Sequence, residues 1–170
     1  MQTPAVLSLG SNLPFRGMDS LRILRSACAA LGERLRGLRV SPVYRTAPLF
    51  FTAQGDFLNL VCAGDWEGDA EGLLGFVQAV EAAFGRDRAG EIPKGPRTLD
   101  IDIALFGNEV ISTEDLRVPH PGITGRAFVL VPLLELFPSA RDPVSGKSYK
   151  SFLDCLPRDG VEWYAHGTGI

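Results

Sequence analysis

The segment Arg97-Thr98-Leu99-Asp100-Ile101-Asp102-Ile103 has the most regular pattern in the sequence. Apolar and acidic side chains alternate along it. Because successive side chains of a β-strand point to opposite faces, the apolar residues are predicted to face a core while Asp100 and Asp102 face the other way. The segment therefore predicts a half-buried strand, which we expect to run from Leu99 to Phe106.

The sequence on either side contains further strand and helix patterns, which are indicated by periodicity, helix caps and turn residues. The other predicted strands are Ala5–Leu9, Leu38–Arg45 with an interruption at Pro42, Phe57–Ala63, Val110-Ile111 after a turn at Gly107-Asn108, a hairpin over Val144–Tyr149, and Val161–Ala165. The predicted helices are one capped by Asp19 or Ser20 with its apolar stripe from Leu21 to Leu35, then Ala70–Phe84, then Ala127–Phe137 with Pro132 in its first turn. This irregular alternation predicts an α+β domain with a mostly antiparallel sheet and helices packed on it.

Composition sets the broad class. The chain has 170 residues, of which 45% are hydrophobic and 22% charged, so we expect one globular domain spanning residues 1–170. The net charge of −3 argues against a general nucleic-acid binder. Three widely spaced cysteines favour a reduced, cytoplasmic protein. No signal peptide is expected at the N-terminus, and no apolar run approaches the roughly 18 residues of a membrane span.

The acidic pair suggests a metal site. Two residues apart on one strand face, Asp100 and Asp102 have Cα atoms about 7 Å apart, so their carboxylates can converge on one cation or bracket two. Without neutralisation they would repel each other and lose solvation. Mg²⁺ would remove both penalties, because it prefers oxygen ligands shared with substrate phosphates. The alternative is the solvated polar face of an ordinary strand.

The loop over residues 85–96 brings cations next to this pair. Arg86, Arg88, Lys94 and Arg97 are interleaved with five Gly or Pro residues. Guanidinium groups beside a carboxylate pair suit a metal–polyphosphate complex, and the glycines suit a lid. We expect the cations to repel one another until polyphosphate binds. The alternative is a solvated charged loop.

Two smaller clusters complete the pattern. His120 lies between prolines and close to Arg126, so a phosphate contact is plausible beside the alternative of a structural histidine. Phe57 and Asn59 share a strand face, an aromatic ring beside an amide that can bind the edge of a heterocycle. The alternative there is core packing of Phe57, with Asn59 bonded to backbone.

In this order, these pieces resemble the 6-hydroxymethyl-7,8-dihydropterin pyrophosphokinase family of folate biosynthesis. The resemblance is collinear up to about Phe137, and its most specific part is Gly95–Ile103. The matching blocks are Leu7–Asn12, Ser41–Pro48, Phe57–Asn59, Glu81 with Gly85-Arg86, Gly95–Ile103, Val118–Pro121 and Arg126–Leu134.

The resemblance implies a ferredoxin-like fold in three αβα layers. It also implies transfer of diphosphate from ATP to the hydroxymethyl group of 6-hydroxymethyl-7,8-dihydropterin, with release of AMP. Two Mg²⁺ ions would be held by Asp100 and Asp102, and those aspartates with Arg86 and Arg97 would be the catalytic residues. The remaining implied contacts are Arg86, Arg97, His120 and Arg126 with phosphates or ribose, Gln78 and Leu116 with adenosine, and Thr46, Pro48, Leu49, Phe57, Asn59 and Phe128 with the pterin, Phe57 and Phe128 being the stacking pair.

The chain departs from the family in the lid. Many members carry Arg-Trp before Gly-Pro-Arg, whereas Pro93-Lys94 stand here, so the loop lacks the guanidinium and the large aromatic ring that would help to close it. A monomer that binds neither nucleic acid nor membrane is expected. Two other classes remain open, a divalent-metal phosphohydrolase that uses the two aspartates and a non-catalytic nucleotide- or RNA-binding module on a ferredoxin-like sheet.

Overall fold

The computed structural model describes residues 1–48, 52–158 and 160–168. The eight strands are β1 (Gln2–Ser11), β2 (Arg36–Val40), β3 (Val43–Thr46), β4 (Phe57–Glu67), β5 (Asp100–Phe106), β6 (Ile111–Ser112), β7 (Arg117–Val118) and β8 (Val161–Ala165). The helices are α1 (Ser20–Gly32), α2 (Ala70–Ala83), α3 (Ala127–Leu136) and α4 (Tyr149–Asp154), with a 3₁₀ turn at Ile123–Gly125. Asp19 caps α1 by accepting the Arg22 N–H at 2.8 Å, so the cap is the first of the two predicted residues.

The main sheet has six strands, and every pairing in it is antiparallel. Its order is β5-β1-β4-β3-β8, and β2 also pairs with β4. The interruption expected at Pro42 is the break between β2 and β3, which pair with different parts of β4. The long central strands β1 and β4 therefore set the register of the whole sheet.

Side-chain alternation divides the core into two layers. Leu7, Leu60 and Ile103 belong to the larger cluster, on the sheet face covered by α1 and α2. Val6 and Val61 point the opposite way and pack with α3 and α4. Helices thus cover both faces of the sheet, and the predicted three-layer α+β arrangement is confirmed.

Three local predictions were wrong. Pro132 is the sixth residue of α3 rather than part of its first turn. Because proline has no N–H, the carbonyl of Phe128 loses its helical hydrogen-bond donor. Phe128 is half-buried and lies in the first turn of the helix. The spacing of Val110-Ile111 after the turn at Gly107-Asn108 predicts a hairpin with the preceding strand, but the two-residue strand β6 pairs with β7.

The third error concerns the hairpin predicted over Val144–Tyr149. A single bridge between Arg141 and Ser148 closes a turn there. Ser148 then accepts the Ser151 N–H at 3.2 Å and caps α4, so Tyr149 begins a helix. A short helix with a serine cap has too few residues to show a helical period in the sequence.

Candidate active site

A cavity of about 310 Å³ opens on the sheet face that α3 covers, beyond the N-terminal end of that helix. It brings together eleven of the fourteen predicted site residues. These are Thr46, Pro48, Phe57, Asn59, Arg86, Arg97, Asp100, Asp102, His120, Arg126 and Phe128. The cavity is where chemistry would occur, because it is concave and concentrates charged groups beside aromatic ones.

The other three predicted residues are not part of it. Leu49 lies outside the described residues. Gln78 is exposed on α2, and Leu116 is buried in the larger core cluster, so neither side chain is among the described residues that line the cavity. Their proposed contacts with adenosine stay predictions.

Strand register builds the floor of the cavity. Gly10 lies between Asp100 on β5 and Asn59 on β4, and Ser8 lies opposite Asp102. All of these residues share the face that carries Val6 and Val61 further along the sheet, because side chains alternate. A Cβ on Gly10 would come within 3.0 Å of Asn59 Oδ1, so glycine at this position keeps the floor open between the two side chains.

One end of the cavity is neutral and built on strands. Asn59 Nδ2 donates to Thr46 Oγ1 at 2.7 Å, and both side chains are buried. The alternative that Asn59 is bonded to backbone is therefore wrong for this donor. Phe57 lies two residues before Asn59 and so shares its strand face, and Phe128 contributes from α3. Two aromatic side chains and an amide suit a flat, polar-edged heterocycle.

The opposite end is ionic. Asp100 accepts from Arg86 Nη1 and, at 2.9 Å, from Arg97 Nη1. Asp102 lies 3.5 Å from His120 Nε2 and 3.7 Å from Arg126 Nη1. Burial and the charge of Asp100 raise the pKa of Asp102 to about 7, although Arg126 opposes the shift. A cation beside Asp102 would therefore offset both its burial and its repulsion from Asp100.

His120 has a defined orientation. Its backbone N–H donates to the Ala104 carbonyl at 3.0 Å, which ties the segment to β5. Its Nδ1 accepts the Gly122 N–H at 3.0 Å, so the neutral ring carries its proton on Nε2, facing Asp102. Burial, together with the charge of Arg126, lowers the pKa of His120. The ring is thus a neutral N–H donor aimed into the cavity.

Glu81 anchors the loop cations, and its side chain is only 1% exposed. One carboxylate oxygen accepts from Arg86 Nη1 at 2.6 Å and from the Ile101 backbone N–H at 2.7 Å. The other accepts from Arg88 Nη2 at 2.6 Å. The expectation that the loop cations repel one another until a ligand arrives is wrong for Arg86 and Arg88, because both are paired with the buried carboxylate of Glu81.

Glu91, in the loop itself, covers the remaining edge of Arg86. It accepts from Arg86 Nε at 3.0 Å and from Nη2 at 3.1 Å. Burial lowers the pKa of Arg86, but Asp100, Glu91 and Glu81 together more than reverse this and raise it above its ordinary value. The edge that a guanidinium presents to a phosphate is here bonded to a carboxylate.

Sequence reasoning missed several residues that line the cavity. Ser8 and Gly10 belong to a motif that was used only for its resemblance, and strand alternation from Val6 would have placed them on this face. Gln54, in the loop before β4, also lines it. No periodicity marks a loop residue, so its place is visible only once the chain is folded. Arg88 and Lys94, predicted as cations of the loop beside the acid pair, line the cavity as well.

A family model described as 7,8-dihydro-6-hydroxymethylpterin-pyrophosphokinase (HPPK) matches residues 6–138. That is well over half of the chain and contains the whole cavity. The chain belongs to the HPPK family. The predicted family is therefore confirmed, and membership favours a diphosphotransferase over the phosphohydrolase and the RNA-binding module.

Individual relatives agree with this assignment. The 2-amino-4-hydroxy-6-hydroxymethyldihydropteridine pyrophosphokinase of Pseudomonas aeruginosa is 38% identical over 156 residues, which cover 92% of this chain and 93% of the relative. The folic acid synthesis protein fol1 of Schizosaccharomyces pombe is 37% identical over 163 residues, 95% of this chain but only 21% of that protein. The chain thus spans almost all of one relative and about a fifth of the other.

Solved structures support the fold of an HPPK domain. Wild-type HPPK-DHPS of Plasmodium falciparum superposes with a TM-score of 0.68 at 14% identity, covering 91% of this chain and 45% of that one. At this identity the likeness concerns the fold alone, and it agrees with the ferredoxin-like prediction. None of the helices in the described ranges is long and apolar enough to cross a bilayer.

Proposed function

We propose that this chain transfers the diphosphate group of ATP to the hydroxymethyl oxygen of 6-hydroxymethyl-7,8-dihydropterin and releases AMP. The observation that carries the proposal is the two-ended cavity, with Asn59 and Thr46 at one end and the Arg86–Asp100 cluster at the other. An acceptor with a flat heterocycle and a short alcohol arm matches the first end. A polyphosphate matches the second.

The neutral end would bind the pterin. Its ring would stack between Phe57 and Phe128, and Asn59 with Thr46 would bond its amide-like edge, because each of these side chains lines the cavity. Pro48 would close one wall of the pterin site, and the predicted pterin contact of Leu49 falls outside the described residues. These contacts would hold the hydroxymethyl arm toward the two aspartates along the floor of β1, β4 and β5.

The ionic end would bind the ATP phosphates. Arg86, Arg97, His120 and Arg126 all line the cavity and supply N–H donors around Asp100 and Asp102. Fixed donors of this kind stabilise charge that moves between phosphoryl oxygens without having to reorganise during the reaction. Arg126 additionally lies 5.9 Å from the ring of Phe128, which links the phosphate and pterin contacts at the start of α3.

The acid pair fits divalent cations. Asp100 and Asp102 offer carboxylate oxygens on one strand face, and burial together with the charge of Asp100 raises the pKa of Asp102, so a cation beside it would favour its ionised form. In the described part of the chain no group of three or more ligating side chains surrounds them, so substrate oxygens would complete the coordination, as Mg²⁺ prefers. We propose two Mg²⁺ ions, which when bound would offset polyphosphate charge and polarise the alcohol.

We further propose that residues 1–170 form one domain, which is monomeric, cytoplasmic and binds neither nucleic acid nor membrane. The net charge of −3 opposes nucleic-acid binding. All three cysteines are free thiols, with Cys28 and Cys62 buried in the core, which suits a reducing compartment.

The test is AMP release from ATP and Mg²⁺ with and without reduced 6-hydroxymethylpterin. Pterin-dependent AMP, matched mole for mole by the pterin diphosphate, is expected. A phosphohydrolase would release AMP or phosphate without pterin, and a binding module would release neither. An Asp102→Asn variant, which removes one carboxylate at nearly constant volume, controls for contaminating ATPases in the preparation.

A further inference from the structure

Asn12 lies just beyond the end of β1 and is hydrogen-bonded to the backbone of Arg97. The Asn12 N–H donates to the Arg97 carbonyl at 3.1 Å, and the neighbouring Leu13 N–H donates to the same oxygen at 3.2 Å. In return, Asn12 Oδ1 accepts the Arg97 N–H at 2.9 Å. Both backbone polar groups of Arg97 are therefore bonded to this one turn.

The amide nitrogen of Asn12 faces a second loop. Nδ2 donates to Gln54 Oε1 at 2.9 Å and to the Gly55 carbonyl at 3.1 Å. Gln54 Nε2 then donates to the Lys94 carbonyl at 3.1 Å, which returns the chain of bonds to the cationic loop. The Asn12 side chain thus joins Gln54, 42 residues away, to Arg97, 85 residues away, and Gln54 extends the connection to Lys94.

These two loops serve opposite ends of the cavity. The loop with Gln54 leads into Phe57 and Asn59, at the neutral end. The segment with Lys94 leads through Arg97 to Asp100, at the ionic end. Asn12 itself does not line the cavity among the residues described, so its effect on a ligand would have to pass through the loops that it joins.

We propose that Asn12 is a positioning residue that couples the two ends, so that a pterin bound against Gln54 also holds Arg97 and Lys94 in place for the polyphosphate. The proposal rests on the proposed function, since it needs both ligands in one cavity. By linkage, whatever factor the pterin adds to nucleotide affinity, the nucleotide must add to pterin affinity. A purely structural staple would stabilise the fold and leave that factor unchanged.

The test compares two-ligand coupling in wild type, Asn12→Ala, Gln54→Met and the double variant. Calorimetry measures the Kd of a non-hydrolysable ATP analogue with Mg²⁺, first alone and then with saturating 6-hydroxymethylpterin. Asn108→Ala is the matched control, because it removes the same amide from an exposed turn after β5. Thermal melts establish that each variant is folded, and Gln54→Met breaks the bridge from its other side should Asn12→Ala unfold.

In wild type and in the control, pterin should tighten analogue binding about fivefold or more, the lower range of measured couplings. In either single variant this factor should fall below about twofold. Because Asn12 and Gln54 belong to one chain of hydrogen bonds, the factor in the double variant should fall no further than in either single variant. Equal weakening of binary and ternary binding would show local support of Arg97 only and overturn the coupling, as would an unchanged factor. Wild type that binds no pterin would overturn the proposed function itself.

Discussion

The two ends of the cavity are built by different physics. At the neutral end, Asn59 and Thr46 bond to each other at 2.7 Å on adjacent strands, and sheet register alone holds them in place. At the ionic end, Arg86 is bonded to three carboxylates, of which two come from α2 and β5 and the third, Glu91, from the loop itself. The polar pair at the first end is already formed where the pterin would bind. At the second end, carboxylates already occupy the N–H groups of Arg86 that the phosphate would need.

This difference decides what binding must do at each end. A heterocycle at Asn59 would meet a formed, buried polar pair and exclude water from it. A polyphosphate at Arg86 would have to replace a carboxylate that already satisfies the guanidinium. Its net gain is the difference between two charge-assisted interactions rather than the whole of one. The predictions below break the two ends separately.

The largest effect is expected from the acid pair. Asp102→Ala should lower kcat/KM by about 10³-fold or more, since a lost metal position removes several kcal/mol of transition-state stabilisation. The fold should survive, because Asp102 faces the cavity rather than the core. Steady-state AMP release measures the loss, and Asp115→Ala, at an exposed loop acid, serves as control. Activity within a few-fold of wild type would contradict the metal assignment.

The second effect concerns stability of the ionic end. Glu81→Gln keeps an acceptor for the Ile101 N–H but removes the buried charge that faces Arg86 and Arg88. Leaving Arg86 without this partner should lower the free energy of unfolding by about 3 kcal/mol. Urea denaturation measures it, with Glu71→Gln on the exposed face of α2 as the matched control. Equal stability of the two variants would show that Asp100 and Glu91 suffice for Arg86.

The third effect isolates the neutral end. Asn59→Ala should raise the pterin Kd roughly ten- to a few-hundred-fold, because it removes a buried hydrogen-bonding group and leaves the Thr46 hydroxyl without its donor. Binding of the ATP analogue should change little. If calorimetry gave equal losses for both ligands, Asn59 would be a structural residue of β4, and the neutral end would lose its special status.

Sequence reasoning placed strand residues of both ends, but it did not predict the carboxylates that pair with Arg86, for a physical reason. Strand alternation has a period of two, so Asp100, Asp102, Phe57 and Asn59 could be placed on faces from the sequence. The partners of Arg86 could not be placed this way. Glu81 lies on a helix and Glu91 in a loop, and only tertiary packing brings them to one guanidinium.

The hairpin predicted over Val144–Tyr149 failed for a different, local reason. Turn residues were recognised, but the decisive fact was local hydrogen bonding, in which the cap at Ser148 starts α4 within the predicted second strand. Pro132 was misplaced because burial against the sheet outweighed its helix-breaking tendency. A local cap thus decided the first case, and burial against the sheet decided the second.

The smallest effect tests whether the ionic end holds a true competitor for its ligand. Glu91→Gln should lower the Kd of the ATP analogue about tenfold, because phosphate would then displace a neutral amide rather than a carboxylate from the Nε and Nη2 edge of Arg86. Asp87→Asn is a close control: it removes the same charge from the same loop, but its carboxylate accepts the Ala89 N–H, which an asparagine can also do. Binding is measured by calorimetry at two salt concentrations, since a general charge effect is screened and a displaced contact is screened less.

Tighter binding in Glu91→Gln alone would mark Glu91 as the carboxylate that polyphosphate replaces. Equal tightening in both variants would reduce it to one of several loop charges. Weaker binding in Glu91→Gln would show instead that Glu91 holds Arg86 in place for the phosphate, and the contrast between a ready neutral end and an occupied ionic end would then be wrong.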